Sequence, residues 1–251
     1  MIKNSFSRSL KVIFFVTFIA IAASLTFRAV AANEPAAPTA REKSEDTIDK
    51  TGWKPIEVNL PTAMFVGTPQ DIVVEKLEKP LGKPRPPFLA PPGTKLVSLG
   101  KPITSSDNDP IIGRLKYITD GDKEASDGCF VELMPLKQHV TIDLGKEYEI
   151  WAIIVWHYHL QPRVYFDVIV QVASDPDFLT DVKTIFNNDI DNSYGLGIGK
   201  NLHYIETNEG KLIEGNGVKG RYVRLHSNKN SNDDMNHYIE VSVYGKELES
   251  K

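Results

Sequence analysis

The chain has 251 residues, 41% of them hydrophobic and 25% charged, and a formal net charge of −4. That is long enough for one large domain or a domain with an arm. An acidic chain without a basic patch is a poor partner for nucleic acid or anionic lipid.

Residues 1–32 read as a secretory signal peptide. Lys3, Arg8 and Lys11 precede the apolar run VIFFVTFIAIAASLTF, and AVAA supplies the small residues for cleavage after Ala31 or Ala32. The run is short for a membrane span, so no membrane insertion is expected once the signal is cleaved. The mature chain is expected to be secreted or periplasmic. Loss of Lys3, Arg8, Lys11 and Arg28 takes its charge from −4 to about −8. Its one cysteine, Cys129, has no partner for an internal bridge, so a real core or a metal has to hold the fold.

Residues 33–52, polar and rich in Pro and Ala, read as a flexible tether. Residues 53–94 mix apolar segments with dense proline, as in LEKPLGKPRPPFLAPPG. Proline forbids regular ladders and favours extended backbone. Trp53, Phe65, Val73 and Phe88 are too apolar for a bare linker, which predicts an extended arm packed on the domain C-terminal to it.

From residue 95 to 246 the pattern is period two. HVTIDLG sets Val140, Ile142 and Leu144 on one face. VYFDVIVQVASD does the same with Phe166, Val168, Val170 and Val172, GRYVRLHS with Val223 and Leu225, and YIEVSVYG with Ile239, Val241 and Val243. Short alternating strands between turn-rich segments, without a long helix, predict an all-β sandwich. Residues 150–156 are apolar on both faces, so the outer face needs a cover, which the arm is placed to provide. Residues 186–218, rich in Asn, Asp and Gly, form a long excursion, and 247–251 a tail. The cluster GLGIGK (195–200) is not a phosphate loop: Asn201 comes after the lysine, and no strand–helix frame surrounds it.

The order ITDGDKEASDG (118–128), VTIDLGKEYEIWAIIVW (140–156), YFDVIVQVASDPDF (165–178), GRYVRLHS (220–227), YIEVSVYG (238–245) resembles the discoidin, or coagulation factor V/VIII type C, domain. It is also the order of the galactose-binding-like carbohydrate modules of bacteria. The resemblance covers about three-fifths of the chain. It implies a jelly-roll sandwich with ligand-binding loops at one end. Phe130 stands where such domains often carry tryptophan, the cysteine pair of the animal members is absent, and the excursion is longer than usual.

Two constellations are candidates for chemistry. Asp120, Asp122 and Ser126 lie in one turn, and the resemblance implies a structural Ca²⁺ there, completed by Glu240. Calcium takes six to eight oxygens; the alternative is an Asx turn satisfied by its own backbone. The second is IIVWHYHLQPR (153–163). His157 and His159, two apart on a strand, are expected to share a face. They offer half of a zinc site, with His237 the best third ligand and His226 and His203 weaker ones. They have no nucleophile or carboxylate pair beside them for catalysis. Alternatively they bond to neighbouring loops. With Trp156, Tyr158 and Arg163, and with Asn187, Asn188, Asp189, Asn192, Asn236, His237 and Tyr238 from other loop ends, they are expected to line a solvent-facing ligand surface. Amide, imidazole, guanidinium and aromatic groups suit sugar hydroxyls and ring faces; the asparagines equally suit turn caps. The expected function is a secreted, non-catalytic module binding a glycan. The alternative is an adhesion or scaffold protein binding another protein; an enzyme ranks last.

Overall fold

The computed structural model describes residues 48, 50–65, 69, 72–126 and 128–249. The signal peptide and nearly all of the tether lie outside the described residues. Among these residues eleven strands run in order: β1 (Lys54–Pro55), β2 (Leu89–Ala90), β3 (Lys95–Leu96), β4 (Ile103–Ser105), β5 (Val131–Leu133), β6 (Lys137–Trp156), β7 (Ile169–Ala173), β8 (Lys183–Asn187), β9 (Lys211–Asn228), β10 (Asn236–Tyr238) and β11 (Glu240–Glu247). One 3₁₀ turn, Leu115–Thr119, is the only helical element among the described residues. The fold is all-β, as the period-two pattern predicts.

The frame is a long antiparallel ribbon. β6 and β9 pair from Lys137↔Asn228 to Val155↔Lys211, with register shifts at Asp143/Tyr148 and Ile150/Ala152. The sequence pattern suggests separate strands at 140–144 and 150–156; the chain instead runs through. Gly145, at φ +85°, and the two irregularities bend the ribbon without breaking it, as bulges do. β4 borders the first half of β6, and β7 then β8 border the matching half of β9. β11 and then β3 border the second half of β6. Both halves face one core: Val140, Ile142, Leu144, Val170, Val172, Val223 and Leu225 meet Ile153, Val155, Ile213, Val241 and Val243. Ile239 departs from its expected face. It sits between β10 and β11, where the pairing partner changes, and packs with Trp156 on the far side.

That far side forms a second, smaller cluster of Ala125, Ala152, Ile154, Trp156, Ile239 and Tyr244. Ile56, Val58 and Phe88 pack on it, and β1 pairs with β2 to hold the two passes of segment 53–90 together. Proline removes donors, so this segment is anchored by scattered bonds rather than a ladder. Arg85 donates to the carbonyls of Gly210 (2.9 Å) and Glu209 (3.0 Å). The Asn208 amide donates to the Pro61 carbonyl (3.0 Å), and Lys211 pairs with Glu78 (2.6 Å). Gly210 itself, at φ +63°, lies on the Trp156 indole; a Cβ there would meet the ring at 2.7 Å.

Candidate functional site

The histidine strand end is the first correction. β6 stops at Trp156, and His157 and His159 then part company. His157 is fully buried, its Nδ1 3.0 Å from Glu206 Oε2, with Tyr165 stacked at 4.3 Å and Tyr238 at 5.0 Å. His159, 1% exposed, donates from Nε2 to the Lys123 carbonyl at 2.8 Å. Trp156 has no exposure and gives its Nε1–H to the Asn208 carbonyl (2.9 Å). None of the three lines a solvent-facing pocket. Among the described residues, the only His/Cys/Asp/Glu triad with metal-like spacing contains no histidine: it is Asp167, Asp189 and Asp191.

The asparagine-rich residues of the excursion bond inward as well. Asn187 accepts from Asp189 N–H and donates to the Gly197 carbonyl, and Asn188 accepts from Val168 N–H. Asp189 accepts from Ser193 and Tyr194 N–H, and Asn192 from Gly197 N–H. Burial raises the Asp189 carboxyl above its ordinary range. Asn236 donates to the Met134 and Leu136 carbonyls and accepts from Lys229 N–H. Tyr238 shares a hydrogen bond with Ser227 (3.0 Å) and is fully buried. These side chains hold the loops in shape, the turn-capping alternative the sequence left open.

The acidic turn does not converge on a cation. Asp120 accepts from Asp122 N–H and Asp122 from Glu124 N–H, each at 2.9 Å, as Asx turns do. Both acids and Ser126 are exposed. Glu240 lies behind them with no exposure, accepting from Gly121 N–H (3.1 Å) and the Ser242 hydroxyl (3.2 Å). Burial pushes its carboxyl up to about 7. The Lys123 ammonium already donates to the Gly121 carbonyl (3.2 Å). The carboxylates here meet donors, and a cation stands at the turn; this arrangement does not fit Ca²⁺.

What the fold does bring together is a half-exposed patch where β5, β10 and the loop after β6 meet. The register sets His237 opposite Glu132, and opposite residues share a face. His237 Nε2 lies 3.0 Å from Glu132 Oε2, and its Nδ1 3.1 Å from the Tyr165 hydroxyl. Tyr158 N–H in turn donates to that hydroxyl. The chain of bonds assigns the imidazole: Nδ1 accepts from Tyr165, and Nε2–H donates to Glu132. Burial lowers the His237 pKa, keeping it neutral at pH 7. Tyr158 stands at the centre, with the Arg163 guanidinium 4.7 Å from its ring, Phe130 edge-on at 5.0 Å and His237 at 5.7 Å. Arg163 bonds Asp233 at 2.8 Å and Gln161 at 3.3 Å.

No family model matches the chain, and no curated protein does. Among solved structures, it is similar to the CBM32 of AlyQ in complex with 4,5-unsaturated mannuronic acid. The identity is 16%, with 59% of this chain and 95% of that one covered, at TM-score 0.42. It is similar to chitosan-binding module 1 of a chitosanase/glucanase from Paenibacillus sp. IK-5 (17%, 60% and 99%, 0.41). It is also similar to a family 89 glycoside hydrolase from Clostridium perfringens (20%, 62% and 16%, 0.46).

Of the residues expected at a ligand surface, the patch holds Tyr158, Arg163 and His237. Sequence reasoning missed Phe130, Glu132, Gln161 and Asp233. The spacing of Phe130 and Glu132 in CFVEL places both on one side of a short strand, a usable signal. That His237 would face Glu132 depends on a register between segments about a hundred residues apart.

Proposed function

We propose that this chain is an exported, non-catalytic module that binds carbohydrate through the Tyr158 patch. The observation that supports it most is a half-exposed aromatic pair, Tyr158 and Phe130, edged by carboxylates that buried cationic or imidazole groups hold in place. Arg163 and His237 side chains are 11% and 4% exposed, while their partners Asp233 and Glu132 are 38% and 18% exposed. The buried member fixes the geometry: Asp233 is held through both oxygens by Arg163, Asn230 and Met235, and Glu132, held through Oε2 by His237, turns its other oxygen to accept from a hydroxyl. An aromatic face flanked by rigid acceptors suits the apolar face and equatorial hydroxyls of a sugar ring. A glycan array on the mature protein identifies the sugar. Tyr158→Ala is then expected to weaken binding of the best neutral ligand about tenfold with an unchanged circular dichroism spectrum. Unaltered affinity in that variant rejects the site.

A further inference from the structure

A second surface lies on the outer face of the layer formed by β6, β9, β7 and β8. Its residues are set by the register. Thr104, Thr141, Arg224, Gln171 and Thr184 make one row across five strands. His139 and His226 sit opposite each other in the next row, with ring centroids 5.6 Å apart. Alternation explains why they are outside, since Val140, Val170, Val223 and Leu225 take the core.

Arg224 is the unusual member. Arg163 and Arg221 are each paired with a carboxylate, Asp233 and Asp143. Arg224, like Arg85 and Arg114, has no carboxylate within ion-pair distance among the described residues; unlike Arg85, which spends both terminal nitrogens on carbonyls of the arm contact, it keeps donors free. Its Nε–H donates to Thr141 Oγ1 (2.8 Å), one terminal N–H donates to the Pro176 carbonyl (3.3 Å), and one face stacks on Phe178 at 4.0 Å. A guanidinium has five donors; three stay unspent on a plane held rigid by two bonds and a ring. A partly buried, unpaired guanidinium is costly, and burial accordingly lowers its pKa. Asp175 and Asp177 are the nearby acids. Asp175 is committed to its own turn, accepting from Asp177, Leu179 and Thr180 N–H, and that turn holds Phe178 in place.

We propose that this face, centred on Arg224, binds the carboxylate or sulfate group of an acidic polysaccharide. The planar fork of arginine matches a two-oxygen anion. The exposed Thr184 and the half-exposed His139 add hydroxyl-directed groups around it, the buried Thr141 and Gln171 brace Arg224, Thr184 and His226 from beneath, and Tyr194 borders His226 at 4.9 Å. A row five strands wide suits an extended chain rather than a small enclosed ligand. The surface shares no residue with the Tyr158 patch.

The test titrates the mature protein with a uronate, a sulfated and a neutral oligosaccharide of equal length, at low and high salt. At least one acidic oligosaccharide is expected to bind more tightly than the neutral one, with the advantage shrinking in salt. Which of the two wins identifies the anion. Arg224→Gln is expected to lower acidic binding about tenfold and leave neutral binding unchanged, with Arg224→Lys in between. Amide shifts of the wild type on adding the acidic ligand are expected at Gln171, Arg224 and His226. Equal affinity for acidic and neutral chains, wild-type acidic binding in folded Arg224→Gln, or shifts confined to other regions overturns the proposal. If Arg224→Gln does not fold, the wild-type shift map and Arg224→Lys decide. Absent neutral binding, with the Arg224 effect intact, rejects the Tyr158 reading alone.

Discussion

His226 makes stability depend on pH in a way that can be worked through. It is 5% exposed, its Nε2–H donating to Gln171 Oε1 (3.2 Å) and its Nδ1 accepting from the Tyr194 hydroxyl (2.9 Å). The Gln171 amide nitrogen donates to Thr184, which turns its oxygen toward the ring. Burial first, then the facing His139 and Arg224, depress the imidazole from 6.5 to about 3. The proton therefore prefers the unfolded chain. The stability of the neutral ring is whole above pH 6.5 and is lost as pH falls toward 3. At pH 5 the loss is 1.36 kcal/mol per unit over about 1.5 units, roughly 2 kcal/mol. Glu240, pushed up to about 7, works in the opposite sense: its contribution falls as pH rises from 4.5 to 7. Comparison with His226→Gln removes that background, because Glu240 is common to both proteins. Urea unfolding at pH 7 and pH 5 measures the difference. The wild type is expected to lose about 2 kcal/mol more than the variant over this interval. A wild-type-to-variant gap that stays constant from pH 7 to pH 5 refutes the reasoning.

His157→Ala is expected to destabilise the fold by about 3–5 kcal/mol, because it strands the Glu206 carboxylate in the core; urea unfolding checks it, and an unaffected midpoint means that the pair contributes nothing. Deleting residues 53–94 exposes Ile154 and Trp156, so the remainder should melt well below the whole chain or aggregate; an unchanged melting temperature would show that the segment rests on the sheet without supporting it. EDTA is expected to leave the melting temperature unaltered, as the Asx-turn geometry requires. A fall in EDTA that millimolar calcium reverses would mean that Asp120, Asp122 and Glu240 rearrange around the ion.

The strands were legible because alternation is a local property: Val140, Ile142, Leu144, Val223 and Leu225 lie where period two puts them. The outer apolar face of 150–156 was legible too, since Ala152, Ile154 and Trp156 have no polar alternate. The site was less so. The sequence shows His157 and His159 two apart, but facing the same way requires a strand to continue through them, and β6 ends first. Glu206 reaches His157 from 49 residues away, and no spacing rule announces that a loop carboxylate will fill the core beside it. Asparagine-rich loops carry the same composition whether their amides face a ligand or their own backbone, so the roles of Asn187, Asn188 and Asn192 emerge only in the folded chain.

The β6–β9 ribbon, 20 and 18 residues long, makes the two layers one cooperative unit. Each layer borrows half of the same two strands, so neither can open while the other keeps its hydrogen bonds in register. Its pairing also joins residues from 56 apart at Val155↔Lys211 to 91 apart at Lys137↔Asn228, and the chain must close the shorter loop before any of the ribbon's contacts form. Such non-local topology slows folding. If the chain is exported, as proposed above, slow closure would leave it unfolded longer on the near side of a membrane, in a form that can be threaded across.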